Sequence, residues 1–153
     1  MSELEVRIVT LDPMRVAVTF GFGTAPEHEA WERLVAWSEP KGFFEDRAAH
    51  RIFGFNNPDP SPGSPNYGYE FCMEVGPDVE ADGEVQIEEC KGGRYAVTRC
   101  RGVNNIGRTW KELVTWRESS AYKPASHQWL EEHLGPAQMT PENLELDLYL
   151  PIA

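Results

Sequence analysis

A chain of 153 residues, 41% hydrophobic and 25% charged, has the length and composition of one globular domain with its own core. Its net charge of −11 argues against a nucleic-acid binder, because phosphate contacts demand clustered Lys and Arg. No apolar run approaches the roughly 20 residues of a membrane span, so neither direct DNA binding nor a membrane role is expected.

The first ten residues, MSELEVRIVT, carry charges where a signal peptide would be apolar. Glu3–Val9 alternates as a half-buried strand, and Asp12-Pro13 leads into a second, β-branched strand over Arg15–Phe22. Thr24-Ala-Pro-Glu27 reads as a capping box opening a helix whose inner stripe is Trp31, Leu34 and Val35. Pro40 and Gly42 end it. A strand is expected over His50–Phe55, then the turn-rich loop Asn56–Gly68, a possible lid, then a strand over Tyr69–Val75. Val85–Cys90 and Arg94–Arg101 read as a hairpin about Lys91-Gly92-Gly93. Asn104 or Asn105 caps a helix running to about Ser119, striped by Trp110, Leu113, Val114 and Arg117. Strands over His127–Leu134 and Leu144–Leu150 complete the chain. Cys72, Cys90 and Cys100 are an odd count without CxxC spacing, which suits a reducing cytoplasm rather than a disulfide framework or zinc site.

This order contains a repeat. Met14–Trp37 laid over Gly93–Trp116, at an offset of 79, matches at nine of 24 positions, among them Ala17/Ala96, Val18/Val97, Trp31/Trp110, Leu34/Leu113 and Trp37/Trp116. Strand–helix–strand–strand, given twice, predicts an α+β fold. It is one domain over residues 1–153, with one half at about 1–80 and the other at about 81–153. Two helices should lie on one face of an antiparallel sheet, with a groove on the other.

Strand parity then sorts the side chains. Leu144, Leu146, Leu148 and Leu150 take the helix face, leaving Glu145, Asp147 and Tyr149 on the other. Phe71, Met73 and Val75 likewise leave Glu70, Cys72 and Glu74. In His127–Leu134 the same reasoning puts Leu130, Glu132 and Leu134 toward the helices and Trp129, Glu131 and His133 in the groove. Glu132 is awkward on an apolar face. The predicted groove set joins carboxylates to aromatic rings, a combination suited to an organic cation. His127, Glu131 and His133 share a parity, yet no Cys or second cluster completes a metal site; neither metal nor cofactor is expected.

Several of these segments resemble the GyrI-like small-molecule-binding domain: the hairpin Gly92-Gly93-Arg94-Tyr95-Ala96-Val97, the Trp-bearing helix, Ser120-Ala121-Tyr122, Glu131–Leu134 and the closing Asp147-Leu-Tyr-Leu-Pro-Ile152. The resemblance spans essentially the whole chain. It implies a pseudo-twofold pair of modules that bind bulky, often cationic aromatic compounds beside a buried glutamate on the penultimate strand. Glu131 falls at that position, and its counterpart in the first half is about Gly54. Asp147 stands where a glutamate is commoner, and Tyr149 takes the aromatic position. Members serve as effector-binding parts of AraC-type and multidrug-responsive regulators and as gyrase inhibitors. No helix-turn-helix segment is read ahead of the first strand.

Three functions follow as expectations. The first is binding, for sensing or sequestration, of an amphipathic cation by Glu131, Asp147, Tyr149, Trp129, His133, Glu145, Glu70 and Trp110. The second is a hydrolase opening strained cyclopropane rings, with Glu131 as base and Tyr149 or Tyr122 as acid. The third is a protein-interaction module meeting DNA gyrase or a regulator.

Overall fold

The computed structural model describes residues 4–56, 66–83, 85–135, 140 and 142–153. Its strands are β1 (Arg7–Leu11), β2 (Met14–Gly23), β3 (Ile52–Asn56), β4 (Tyr67–Glu74), β5 (Gln86–Cys90), β6 (Gly93–Arg101), β7 (Leu130–His133) and β8 (Glu145–Pro151), and its helices are α1 (Pro26–Ser38) and α2 (Ile106–Ser119). All described pairings are antiparallel, and the class is α+β. Residues 57–65 of the expected lid loop lie outside the described residues.

The chain forms two compact units, Met14–Cys90 and Met1–Pro13 with Lys91–Ala153. In the first, the strand order is β3-β4-β2-β5; in the second it is β1-β6-β8-β7. The expected hairpin of β5 with β6 is therefore not formed, because β5 pairs with β2 and β6 with β1. A tight hairpin wants positive φ at its first turn residue. In the linker Asp12-Pro13 the proline biases Asp12 toward extended geometry and is itself fixed at negative φ. Lys91 does not have positive φ either, since every positive-φ residue here is a glycine. Gly92 (φ 74°) and Gly93 (φ 140°) carry the chain from β5 into β6 without a ladder between them. The exchange keeps the repeat's register: Arg7 faces Val97, and 79 residues on in the one partner and back in the other, Gln86 faces Val18.

In the first unit α1 packs on β2 and β4. Thr19 Oγ1 donates to the carbonyl of Ala30 at 2.9 Å, and the Trp31 ring meets Phe71 edge-on at 5.1 Å. The expected capping box is absent. Pro26 occupies the first turn and forces the residue before it out of helical geometry, so Ala25 is the N-cap and no side chain caps the helix. In the second unit α2 lays Leu113 on a core of Ala96, Cys100, Leu146, Leu148, Leu150 and Ile152. Asn105 is its N-cap, but with helical backbone angles its side chain turns back to donate to the carbonyl of Arg101.

Charge is divided unevenly. Met14–Cys90 holds 15 acidic and 5 basic residues, a balance of −10, whereas the other unit holds 10 and 9.

Cys72 on β4 gives a pH test of this packing. Burial, aided by the charges of Cys90, Glu70 and Glu88, pushes its thiol well above its ordinary value of 9.0. A raised folded-state value means stability present below the unfolded value and lost as pH rises past it. Above pH about 9, the wild type should lose about 1.4 kcal/mol per pH unit more than Cys72→Ala in urea titrations. Parallel slopes would show that the thiol is not shielded.

Candidate functional site

Strand register assigns the faces of the second unit's sheet. Glu131 lies opposite Leu148 and His133 opposite Leu146, so both share the leucine face that α2 covers. Leu130 and Glu132 lie opposite Tyr149 and Asp147 on the other face. This reverses the parity expected for β7. The strand runs only from Leu130 to His133, and the awkward Glu132 was its signal: Glu132 sits on the far face, where Tyr149 Oη donates to its Oε1 at 2.7 Å.

On the helix side, three predicted residues come together. Trp110 Nε1–H donates to Glu131 Oε2 at 3.2 Å. The Trp129 ring, just ahead of β7, lies 5.2 Å from that of Trp110 at a 38° tilt. Trp129 is 42% exposed, and Glu131 is half-buried. His133 is buried on the same face.

The other predicted residues are held elsewhere. Asp147 is buried and takes Arg99 Nε on one oxygen and Arg7 Nη2 on the other, the latter at 2.8 Å. Glu145 meets Arg99 at 2.8 Å and Arg101 at 3.5 Å. The hydrogen bond to Asp147, with both carboxylates' charge, pushes the Arg99 guanidinium above its ordinary value against a smaller opposing effect of burial. These two acids are thus balanced by arginines, and they lie across the sheet from Glu131. The sequence carried the signal: Arg99 and Arg101 alternate on β6 directly opposite Asp147 and Glu145 on β8. Tyr149 is buried in its bond to Glu132 and in an edge contact with Tyr95 at 5.4 Å. Tyr122 stacks on Trp116 at 5.8 Å beneath the Arg94 guanidinium. Glu70 belongs to the other unit, opposite Phe20 and Phe55.

The first unit's counterpart of the Glu131 position is closed. Gly54 faces Phe71 as Glu131 faces Leu148, and the ring of buried Tyr69 occupies the space where a side chain at 54 would stand. Trp31, the counterpart of Trp110, is 8% exposed and wedged between Phe44 and Phe71. One copy of the repeat keeps an acid beside its tryptophan, and the other has filled that place with a phenol.

A cleft of about 550 Å³ also opens in the second unit, lined by Leu4, Glu5, Arg7, Thr98, Arg101 and Glu112 among others. None of the predicted ligand residues lines it. Among the described residues no group of three or more His, Cys, Asp and Glu is placed to hold a metal ion, and no helix is long and apolar enough to cross a membrane.

The family model of the GyrI-like small molecule binding domain matches residues 4–153. No curated protein matches the chain. Among solved structures, the EcmrR C-terminal domain is similar at 12% identity and a TM-score of 0.67, over 98% of each chain. The chain spans 57% of EcmrR in its DNA complex. A hydrolase from Listeria innocua is similar at 13% identity and a TM-score of 0.71, over 100% of this chain and 94% of that one. SAV2435 bound to tetraphenylphosphonium is similar at 13% identity and a TM-score of 0.55, over 98% and 94%. At these identities the likeness is one of fold.

Proposed function

We propose, from the premise that this chain belongs to the GyrI-like small-molecule-binding domain family, that it binds bulky aromatic cations on the α2 side of its second unit, as a cytoplasmic sensing or sequestering protein. The observation that carries this is the carboxylate of Glu131 hydrogen-bonded by the Trp110 indole beside the exposed ring of Trp129. A carboxylate held half out of water by an indole hydrogen bond attracts a bulky apolar cation, which needs no hydrogen bond of its own. Indole faces attract the same cation through their quadrupoles, most strongly where water is excluded. Asp147, Glu145 and Tyr149 take no part in this reading, because they are engaged on the opposite face. SAV2435, of the same fold, holds tetraphenylphosphonium, so that ion is the natural probe. Titrating it should quench tryptophan emission with saturation at micromolar concentration, about −8 kcal/mol. A linear, unsaturable response would remove the proposal.

A second reading, hydrolysis, draws on the fold shared with the Listeria hydrolase and on one local feature. Glu131 and Tyr149 lie on opposite faces, and Tyr122 is stacked on Trp116, so the acid–base pair that is hydrogen-bonded together is the buried Tyr149–Glu132. Incubation with a cyclopropane-bearing alkylating compound tests it. A product heavier by one water in mass spectrometry, lost in Glu132→Gln, supports turnover, and unchanged compound rejects it.

A further inference from the structure

Two turns of α2 beyond Trp110, on the same side of the helix, stands Arg117. It is 9% exposed, and its Nη1 donates to the carbonyl of Pro151 at 2.9 Å. Its Nε–H is buried and has no hydrogen-bond partner among the described residues, nor does any carboxylate among them pair with the guanidinium. The Arg117 Cζ lies 6.0 Å from the centre of the Trp129 ring. Trp129 is therefore shared: it neighbours Trp110, which bonds Glu131, and it lies beneath the guanidinium of Arg117.

Buried charges are ordinarily paired, and a buried N–H without an acceptor calls for a reason. The arginines of this unit's other sheet face, Arg7, Arg99 and Arg101, each have a carboxylate. Arg117 has a backbone carbonyl and the face of an indole that is itself 42% exposed. Both features, the unmet donor and the large apolar ring left in water, would be relieved by one guest lying along Trp129. Trp110 and Arg117 stand seven positions apart on α2, about 10 Å along the axis.

We propose that Arg117 reads an anionic or strongly accepting group on the ligand, so that this site takes a zwitterionic aromatic: cationic end at Glu131, carboxylate end at Arg117. This rests on the aromatic-cation reading above and narrows it. Arg117 would be a specificity-determining residue, donating from Nε to an oxygen of the ligand while Nη1 keeps its bond to Pro151.

Rhodamine 110 and rhodamine 123 test this, because they differ in a carboxylate against its methyl ester. By fluorescence anisotropy the wild type should bind the carboxylate dye about tenfold more tightly, the effect of one charge-assisted hydrogen bond. Arg117→Met should abolish that preference while leaving ester affinity within about twofold. Arg117→Lys keeps the charge without the Nε–H and should retain only part of the preference; it also serves if the methionine variant fails to fold. Equal binding of both dyes by the wild type overturns the proposal. So does an Arg117→Met variant that weakens both dyes alike, which would make Arg117 a tie between α2 and the end of β8. Tetraphenylphosphonium separates the two levels. If it binds and the dye preference is missing, only the role of Arg117 falls; if neither it nor either dye binds, the cation reading falls as well.

Discussion

Replacing Glu131 by glutamine is expected to weaken tetraphenylphosphonium binding by about 10- to 100-fold without unfolding the protein. Glutamine keeps an oxygen to accept the Trp110 indole N–H, so the hydrogen bond at 3.2 Å survives and only the charge is removed. At an effective dielectric constant of about 20, a unit charge about 6 Å away is worth about 3 kcal/mol, which partial exposure of Glu131 reduces toward the lower end of that range. Isothermal titration calorimetry at two salt concentrations is the measurement. The wild type should lose more affinity with salt than Glu131→Gln does. A neutral ligand of similar shape, triphenylphosphine oxide, should bind both proteins alike. Unchanged tetraphenylphosphonium affinity in Glu131→Gln would show that this carboxylate is not the counter-ion.

The second large effect concerns the place where the other copy lost the site. Gly54→Ala is expected to destabilise the protein by about 1–3 kcal/mol, since the new methyl overlaps the ring of buried Tyr69. Gly54 does not have a positive φ, so the cost is one of contact and not of backbone conformation. Leu146 is the residue of β8 that corresponds to Tyr69, and Tyr69→Leu should make room. In that background Gly54→Ala should cost less than about 0.5 kcal/mol, a coupling read directly from a double-mutant cycle in urea. Additive costs would mean that Tyr69 does not fill the place Glu131 occupies in the other copy.

Particular residues show how far the sequence alone reached. The repeat at an offset of 79 was visible because both copies must bury the same stripe, Trp31, Leu34 and Trp110, Leu113, and the same strand, Ala17-Val18-Thr19 and Ala96-Val97-Thr98. Helix positions, the α+β class and the leucine face of β8 were legible from such periodicities, and the family from the motifs by which the chain resembles it. Glu131 with Trp110 and Trp129 was named, but on the wrong side of the sheet. On a four-residue strand, shifting the boundary or the parity by one residue moves every side chain to the other face. Nothing within Leu130–His133 outweighs that ambiguity except the unease of Glu132.

Sequence by itself determined what repeats locally: which residues alternate, which stripe a helix buries, and where turns must fall. Only the tertiary structure decided what depends on distant partners. It exchanged β1 and β5 between the copies, pairing β1 with β6 and β5 with β2. It matched Asp147 and Glu145 to arginines on neighbouring strands, set Tyr149 on Glu132, and left Arg117 over Trp129 without a carboxylate. Pairing of charges and choice of strand neighbour are settled by residues tens of positions apart, which no local pattern records.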